Sequence, residues 1–576
     1  TTQSGTVAVG DCAGRANQGN DNVYLGRNAG FSLSRDTTVV TGTNNFIVGV
    51  SAGSSITSGC YNNFIGYQAG FFNTIGESNN FFGSYAGYNN TTGCYNNFFG
   101  AFAGINNTSG KNNNFIGNRA GAFNTIGVGN NFFGICGGYT NTTGCYNNFF
   151  GSLAGCANNT GCGNNFFGRH AGRLNTSGNY NVYIGQYAGC SNTTSSSNVA
   201  IGNRAGRNST GQCNVFVGEC SGHGNTGSWN IAIGVHALCA TGTGGFNVAV
   251  GRDANRRNTN AINNVSIGDY AAAFATSANL FVNIGACAGI NGTTGVRNIN
   301  IGASAGYYLN GNCNVTIGTY AGYSLSDAVD LNVIIGYNAG VGAVGQSTSI
   351  TNSVFVGSCA GYKIRSNTTG NVGLGYRSLC SMQTGSNNTA IGHNANSNSL
   401  SGSYNVTIGT NAGCTISSGS CNVAIGYSAS VPSPTGNTQL AVGVLDNNWI
   451  VGDSNFNVTA PNKVITGTTA GTERYSVYAS GSSDGTVTLT TIDMANYWRV
   501  EATTISRSAA ADLIMDTTVF IWNGTTISAA KYDATSVTLN AAITTADVDI
   551  GGTKDIIYAT STSNLSIQVD DADASS

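Results

Sequence analysis

The stretch "NNFFGSYAGYNNTTGCYNNFFGAFAGINNTSGKN", residues 79–112, contains nearly the same 17-residue phrase twice. Each copy runs from Asn-Asn-Phe-Phe-Gly through Ala-Gly to an Asn-Thr turn that ends in Gly. Between Gly10 and Gly443 we count 26 such units, most of them of nearly the same length. A short fixed period is typical of a solenoid or another repeat array. The Gly after the Phe pair, called the unit glycine below, recurs every 17 residues at positions 66, 83, 100, 117, 134, 151, 168, 185 and 202.

The composition excludes several classes of protein. Only 8% of the 576 residues are charged, against about 25% in an average soluble protein. A net charge of −2 provides no basic surface for nucleic acid. Gly, Asn or Ser interrupts every apolar stretch before it reaches the roughly 20 residues of a membrane helix. An aromatic content of 10% is unlike a disordered chain. We therefore expect a fibre or solenoid, without nucleic acid and without membrane insertion.

The unit is too short for two helices, which need about 30 residues or more. Its "NFFG" or "NVAIG" segment is β-rich, and Gly and Asn supply the corners. We predict an all-β fold in which each unit is one coil of a parallel β-solenoid over residues 1–452. Equivalent residues should then stack along the axis, and small Ala residues (Ala69, Ala86, Ala103, Ala120, Ala154) should occupy a crowded interior corner. The predicted ladders are Asn63, Asn80, Asn97, Asn131 and Asn148; Phe82, Phe99, Phe133 and Phe150; and Gly66, Gly83 and Gly100.

These coils resemble a known family. They are similar to the head of YadA-type trimeric adhesins, and more closely to the "NTTGxxNxxxGxxAG" repeats of bacteriophage tail-fibre-like proteins. The cysteine-containing variety, as in "NTTGCYNNFFG" at residues 141–151, resembles fibre proteins of marine cyanobacterial phages. The resemblance covers roughly residues 5–452. It implies a left-handed β-roll in which three chains pack side by side as a homotrimer.

All 17 cysteines lie in the repeats, and they occupy only three phases of the unit. Close pairs of the zinc-binding kind, such as C-x2-C, do not occur. Most of the cysteines are interpreted as small buried apolar residues. A disulfide is possible where two share a phase in adjacent coils, since strand spacing lets them meet. Cys145 and Cys162 are that pair.

We find no pattern that predicts catalysis. The four histidines, His170, His223, His236 and His393, form no HExxH or HxH pair. The segment "GVGAVG", residues 340–345, matches G-x-G-x-x-G but lacks the βαβ context of a dinucleotide site. We therefore expect no enzymatic activity, no cofactor and no metal site.

The sequence changes character after Gly452. Residues 453–576 contain seven alternating β-rich segments, which predict a small antiparallel β-sandwich. This domain could cap the solenoid, direct assembly or bind a receptor. Tyr497, Trp498, Trp522 and Tyr532 are candidates for sugar stacking, with core packing as the alternative. Two longer units carry the segments 32–40 and 342–352, which we expect to bulge outward as loops.

The leading hypothesis is a structural fibre protein of a phage virion. In it, a stiff trimeric shaft of roughly 120 Å, at about 4.8 Å per coil, presents or anchors the C-terminal domain. The expected location is an external appendage, with other virion proteins at one end and a host surface glycan or protein as a possible receptor. The alternative is a self-assembling extracellular filament or a cell-surface trimeric adhesin. A polysaccharide-degrading spike fits less well, because the coil is narrow and poor in carboxylates.

Overall fold

The computed structural model describes residues 4–31, 41–240, 242–326, 329–342, 349–365, 367–445, 447–455 and 457–459, together with eight strands in the C-terminal part. The chain forms two compact units, Thr1–Thr459 and Ala460–Ser576. Among the described residues every regular element is a β-strand. Hydrogen-bonded equivalents such as Asn80 and Asn97 are separated by 17 positions along the chain. The all-β prediction and the short-period parallel solenoid are thereby confirmed.

The first unit is built on one long sheet. Twenty-six of its 28 strands, all but the last two, run parallel, and each pairs with the strand of the next coil. The register joins equivalent residues, so that Asn80 pairs with Asn97 and Phe82 with Phe99. The parallel strands are Val7–Val9, Val23–Leu25, Phe46–Val48, Asn63–Ile65, Asn80–Phe82, Asn97–Phe99, Asn114–Ile116, Asn131–Phe133, Asn148–Phe150, Asn165–Phe167, Val182–Ile184, Val199–Ile201, Val215–Val217, Ile231–Ile233, Val248–Val250, Val265–Ile267, Val282–Ile284, Ile299–Ile301, Val315–Ile317, Val333–Ile335, Val354–Val356, Val372–Leu374, Thr389–Ile391, Val406–Ile408, Val423–Ile425 and Leu440–Val444.

Backbone hydrogen bonds continue around the coil beyond these short strands. The Gly87 amide donates to the Ala103 carbonyl of the next coil at 2.9 Å, and the Tyr85 amide donates to the Tyr67 carbonyl of the preceding coil at 2.9 Å. Some backbone amides of a coil thus donate to the next coil and others to the preceding one. These bonds satisfy backbone groups that have no partner within their own narrow coil. The coils are therefore joined along most of their circumference.

The unit glycine is required by the backbone. Gly83 has φ +141° and Gly100 has φ +140°, a region that side chains with a Cβ rarely adopt. A Cβ on Gly83 would lie 2.6 Å from the carbonyl oxygen of Gly100 in the next coil. The glycines thus form a column in which each backbone approaches the next too closely for any side chain.

The interior is filled by the middle residue of each strand. Phe98 is fully buried, and its ring stacks on Phe81 at 4.8 Å and on Phe115 at 4.7 Å, nearly parallel to both. The small Ala residues predicted for an interior corner are also fully buried. The unbroken aromatic column consists of Phe64, Phe81, Phe98, Phe115, Phe132, Phe149, Phe166 and Tyr183.

At the far end of the first unit the pairing becomes antiparallel. Leu440–Val444 pairs with Asn447–Gly452, which pairs in turn with Val458–Thr459. The segment 32–40, one of the two expected loops, lies outside the described residues. In the other, 342–352, the described part contains the strand Ile350–Thr351, which pairs in parallel with Thr368–Thr369.

In the second unit the described strands form two antiparallel sheets of four strands each. The seven segments expected from the sequence are 474–480, 485–492, 496–506, 517–524, 536–545, 555–561 and 564–569. The first lies outside the described residues, and 536–545 covers Ser536–Asn540 and the start of Thr545–Asp549. The other five each overlap one described strand. The strand Thr526–Lys531 was not expected. Packing of the two sheets as a sandwich stays a prediction. One sheet contains Val487–Asp493, Asn564–Asp570, Asp555–Ser561 and Thr545–Asp549; the other contains Arg499–Arg507, Leu513–Trp522, Thr526–Lys531 and Ser536–Asn540.

Candidate functional site: the outward face of the strand stack

Each three-residue strand places its middle side chain inward and its first and third side chains outward, because side chains alternate along a strand. In Asn80–Phe82, for example, only Phe81 is buried. The first and third residues of successive strands therefore form two parallel rows. We call these two rows the outward face.

The first row contains the predicted asparagine ladder. The Asn63 amide nitrogen Nδ2 donates to Asn80 Oδ1 at 2.7 Å, and Asn80 donates to Asn97 in the same way. The row of bonds continues coil by coil to Asn165. From Val182 onward the first row consists almost entirely of Val and Ile. The outward face is therefore half polar from Asn63 to Phe167 and apolar, with few exceptions, in the strands before and after.

The third row contains the predicted Phe ladder. Phe82 and Phe99 stack with ring centroids 4.7 Å apart, and Phe133 and Phe150 with centroids 4.5 Å apart. Ile116 occupies the row between these two stacks, so the rings form two short columns. The rings lie at the surface, since Phe99 is 38% exposed. The column that fills the core belongs instead to the preceding Phe of each unit.

Two further asparagine ladders lie inside the coil, and the sequence analysis missed both. The side-chain Nδ2 of Asn113 donates to the Gly127 carbonyl at 2.8 Å and to Asn96 Oδ1 at 3.1 Å. Its Oδ1 accepts from the backbone amide of Asn130 at 3.0 Å. A second buried ladder includes Asn107, which donates to Asn90 Oδ1 at 2.7 Å. The signal was present in the first Asn of each "NNFFG" and in the Asn of each "NTTG", which repeat in phase.

The aromatic core is interrupted by polar residues in four successive coils. At the inward strand position, Asn300 donates to Asn283 Oδ1 at 2.6 Å and accepts from the Thr316 hydroxyl at 2.6 Å. Ser266 occupies the same position in the coil before Asn283. Its hydroxyl is buried without a hydrogen-bond partner among the described residues. In the last three of these coils a short buried hydrogen-bonded row of Asn283, Asn300 and Thr316 takes the place of apolar side chains.

The structure brings Cys145 and Cys162 together, with both thiols free. The Cys145 amide donates to Cys162 Sγ at 3.2 Å, and the Cys145 thiol donates to the Thr143 carbonyl at 3.2 Å. Burial raises the pKa of the Cys145 thiol, which keeps it in the less reactive protonated form. All 17 cysteines are free thiols in this structure.

The ion pairs of the described residues are few, and one carboxylate, that of Asp253, lies near two basic groups, His236 and Arg256 (Nε at 3.4 Å). Arg252 contacts Asp269 through two bonds of 2.8 and 2.7 Å and holds the pKa of that carboxyl below its usual range. His236 Nδ1 lies 3.6 Å from Asp253 Oδ1. In this part of the chain no three His, Cys, Asp or Glu side chains are grouped as metal ligands would be. No described helix is long and apolar enough to span a bilayer.

The C-terminal candidates for receptor contact are only partly placed. Trp522 is the last residue of the strand Leu513–Trp522. Tyr497, Trp498 and Tyr532 lie outside the described residues. A role for these four in binding therefore stays a prediction. Neither a protein-family model, nor a curated protein, nor a solved structure matches this chain.

Proposed function

We propose that the first unit is the stiff shaft of a structural fibre, and that copies of the chain associate side by side through the outward face. The observation that carries the proposal is the chemistry of that face. Across all 26 parallel strands, none of the three residues that pair with the neighbouring coil is charged. Monomeric soluble proteins rarely expose a contiguous apolar surface of more than a few hundred Å². Here an uncharged and largely apolar surface continues from coil to coil.

The exposed area is large enough for a stable interface. Thirteen side chains of the outward face between Phe46 and Ile425 are each 36–40% exposed. With about 180 Å² taken for a whole Ile or Phe residue, each exposes about 70 Å², so that the thirteen together expose about 900 Å². A standard interface buries about 800 Å² per partner. They are Phe46, Phe99, Ile116, Phe167, Ile184, Ile201, Ile231, Ile233, Ile267, Ile299, Ile391, Ile408 and Ile425.

The resemblance to phage fibre repeats specifies the proposal further. The assembly is a homotrimer of left-handed coils in an external appendage of a virion, attached at one end to other virion proteins. The second unit then serves assembly or contacts a host surface glycan or protein. In this proposal the chain has a structural role and catalyses no reaction.

The oligomeric state of the full chain tests the proposal. Sedimentation equilibrium should give three times the mass of the single 58.7 kDa chain. Ile231→Lys with Ile233→Lys places two ammonium groups on the outward face and should shift the mass to that of one chain. Leu331→Lys, at an exposed site outside this face, is the matched control and should leave the trimer intact.

Two results would contradict the proposal. A wild-type chain that sediments as a monomer at every concentration would exclude association through the outward face. Immunolabelling in electron microscopy should locate the protein on virion appendages. Labelled filaments without capsids would favour the extracellular filament instead.

A further inference from the structure

A groove of about 630 Å³ lies on the surface of the coils, and its lining includes no residue of the outward face. Its floor is a row of threonines, one per coil, eight places after the unit glycine, including Thr91, Thr108 and Thr125. The residues two positions before these threonines also line the groove, and in successive coils they are Phe72, Asn89, Asn106 and Phe123. A polar segment of two coils is therefore bounded by a Phe ring at each end.

The two end rings share one contact, with a Tyr of the next coil, and Phe72 also makes an edge contact with Phe71 at 4.7 Å and 80°. Phe72 makes an edge contact with Tyr88 at 5.1 Å and 82°, and Phe123 makes one with Tyr139 at 5.0 Å and 80°. Each Tyr belongs to the coil that follows the coil of its Phe. Edge contacts of this kind fix the orientation of the Phe rings. Because the rings are already ordered, less side-chain entropy is lost when a ligand binds. Three coils at about 4.8 Å each separate the two rings by about 14 Å.

The polar groups between the rings supply both donors and acceptors. The Asn89 Nδ2 group donates to Asn106 Oδ1 at 2.9 Å, which leaves Asn106 Nδ2 and Asn89 Oδ1 without a partner among the described residues. The Thr91 and Thr108 hydroxyls each donate to a carbonyl of the next coil at 3.0 Å. Their oxygens therefore remain available as acceptors. None of the nine residues that line the groove is charged.

We infer that this groove binds a neutral oligosaccharide of about three sugar units. A pyranose ring has an apolar face that stacks on an aromatic ring, and hydroxyls that both donate and accept hydrogen bonds. The groove offers that combination, with rings at the ends and amide and hydroxyl groups between them. A charged ligand would leave its charge unpaired there, which is unfavourable. The site goes beyond the proposed structural role, because it needs only residues of one chain.

Saturation-transfer NMR on the full chain, against a panel of neutral and acidic di-, tri- and tetrasaccharides, tests the inference. A neutral trisaccharide or tetrasaccharide should bind saturably, and calorimetry should give one site per chain. Phe72→Ala and Phe123→Ala should each weaken the affinity by about three- to tenfold. Thr108→Val, which removes a floor hydroxyl and keeps the shape, should weaken it as well.

Tyr95→Ala is the matched control, because Tyr95 is an aromatic side chain of one of the groove's own coils, is 58% exposed and does not line the groove. Its affinity should stay within twofold of the wild type. The inference is overturned if no neutral saccharide of the panel binds, if only acidic ones bind, or if the Phe72→Ala, Phe123→Ala double variant binds as the wild type does. The last result would place the binding elsewhere on the chain.

Discussion

Two single substitutions, Phe98→Ala and Phe99→Ala, compare the stability provided by the interior of the coil with that provided by its surface. Phe98 is fully buried and stacks on a ring in each neighbouring coil. Phe99 is 38% exposed and stacks on one ring, that of Phe82. A Phe→Ala change in a closed core costs about 3–5 kcal/mol, because it removes apolar burial and leaves a cavity. Both substitutions are made in the Ile231→Lys, Ile233→Lys background, in which no second copy covers the outward face. Water then fills the space vacated at Phe99, so we expect about 1–2 kcal/mol from the lost stacking and partial burial.

Hydrogen exchange followed by mass spectrometry is the suitable assay, because the opening of a repeat array is local and not a single all-or-none step. Peptides covering residues 80–135 should show an opening free energy about 2 kcal/mol lower in Phe98→Ala than in Phe99→Ala, which is about 30-fold in the opening equilibrium. Both variants are compared at the same protein concentration. Equal effects, or a larger effect for Phe99→Ala, would refute the assignment of the two rows to inside and outside.

Three other substitutions probe the ladders, each with the same exchange assay. Asn113→Ala leaves the backbone amide of Asn130 unpaired inside the coil and removes the shorter of two bonds to the Gly127 carbonyl, which keeps its 3.3 Å bond from Asn124 Nδ2. The change should cost about 2–3 kcal/mol; a cost below about 1 kcal/mol would contradict a buried ladder. Gly117 has φ +140°, and an added Cβ would lie 2.5 Å from a carbonyl oxygen of the next coil, so Gly117→Ala should cost at least about 3 kcal/mol. At Gly137 an added Cβ would meet no atom nearer than 3.5 Å, so Gly137→Ala is the control and should stabilise the coil by about 0.4–1 kcal/mol. Asn300→Ala breaks both bonds of the polar core row and should lower the local opening free energy by about 2–4 kcal/mol; unchanged exchange in residues 282–317 would show that the row is not a stabilising contact.

The sequence predicted the period, the strands and the parallel stacking, because the unit glycine marks the register of every coil. It did not say which Phe of the pair points inward. Phe98 and Phe99 have identical hydrophobicity, and a strand of three residues is too short for its alternation to reveal a side. The direction is set by the whole coil, whose glycine columns at Gly83 and Gly100 fix how the strand is turned.

The interior asparagines were missed for a different reason. Asn in a Gly-rich sequence is normally a turn residue, so Asn113 and Asn107 read as corners. The narrow coil instead buries their amides, where each side chain satisfies backbone groups of its own coil and bonds to the neighbouring coil. Only a stacked coil supplies those partners, and they are distant along the chain.

Positive φ angles show the same dependence on neighbouring coils. Tyr95 has φ +60° and Phe102 has φ +61°, a conformation that is uncommon for bulky residues. The Tyr95 amide donates to the Glu77 carbonyl and the Phe102 amide donates to the Ser84 carbonyl, both in the preceding coil. Bonds between coils hold the backbone in a conformation that local sequence does not favour.

Diffraction from an aligned sample of residues 1–459 tests the central claim most directly, since the claim is that each sequence unit makes one coil and that coils stack along one axis. Stacked rings of neighbouring coils lie 4.7–4.9 Å apart in the structure. A strong reflection at about 4.8 Å should therefore appear along the direction of the rod. A reflection of about 4.8 Å at right angles to the rod would mean that the strands run along its axis, and the helical spacing of about 5.4 Å would mean that the units are not β-coils. Either result would contradict the stacked coil on which the ladders, the outward face and the groove depend.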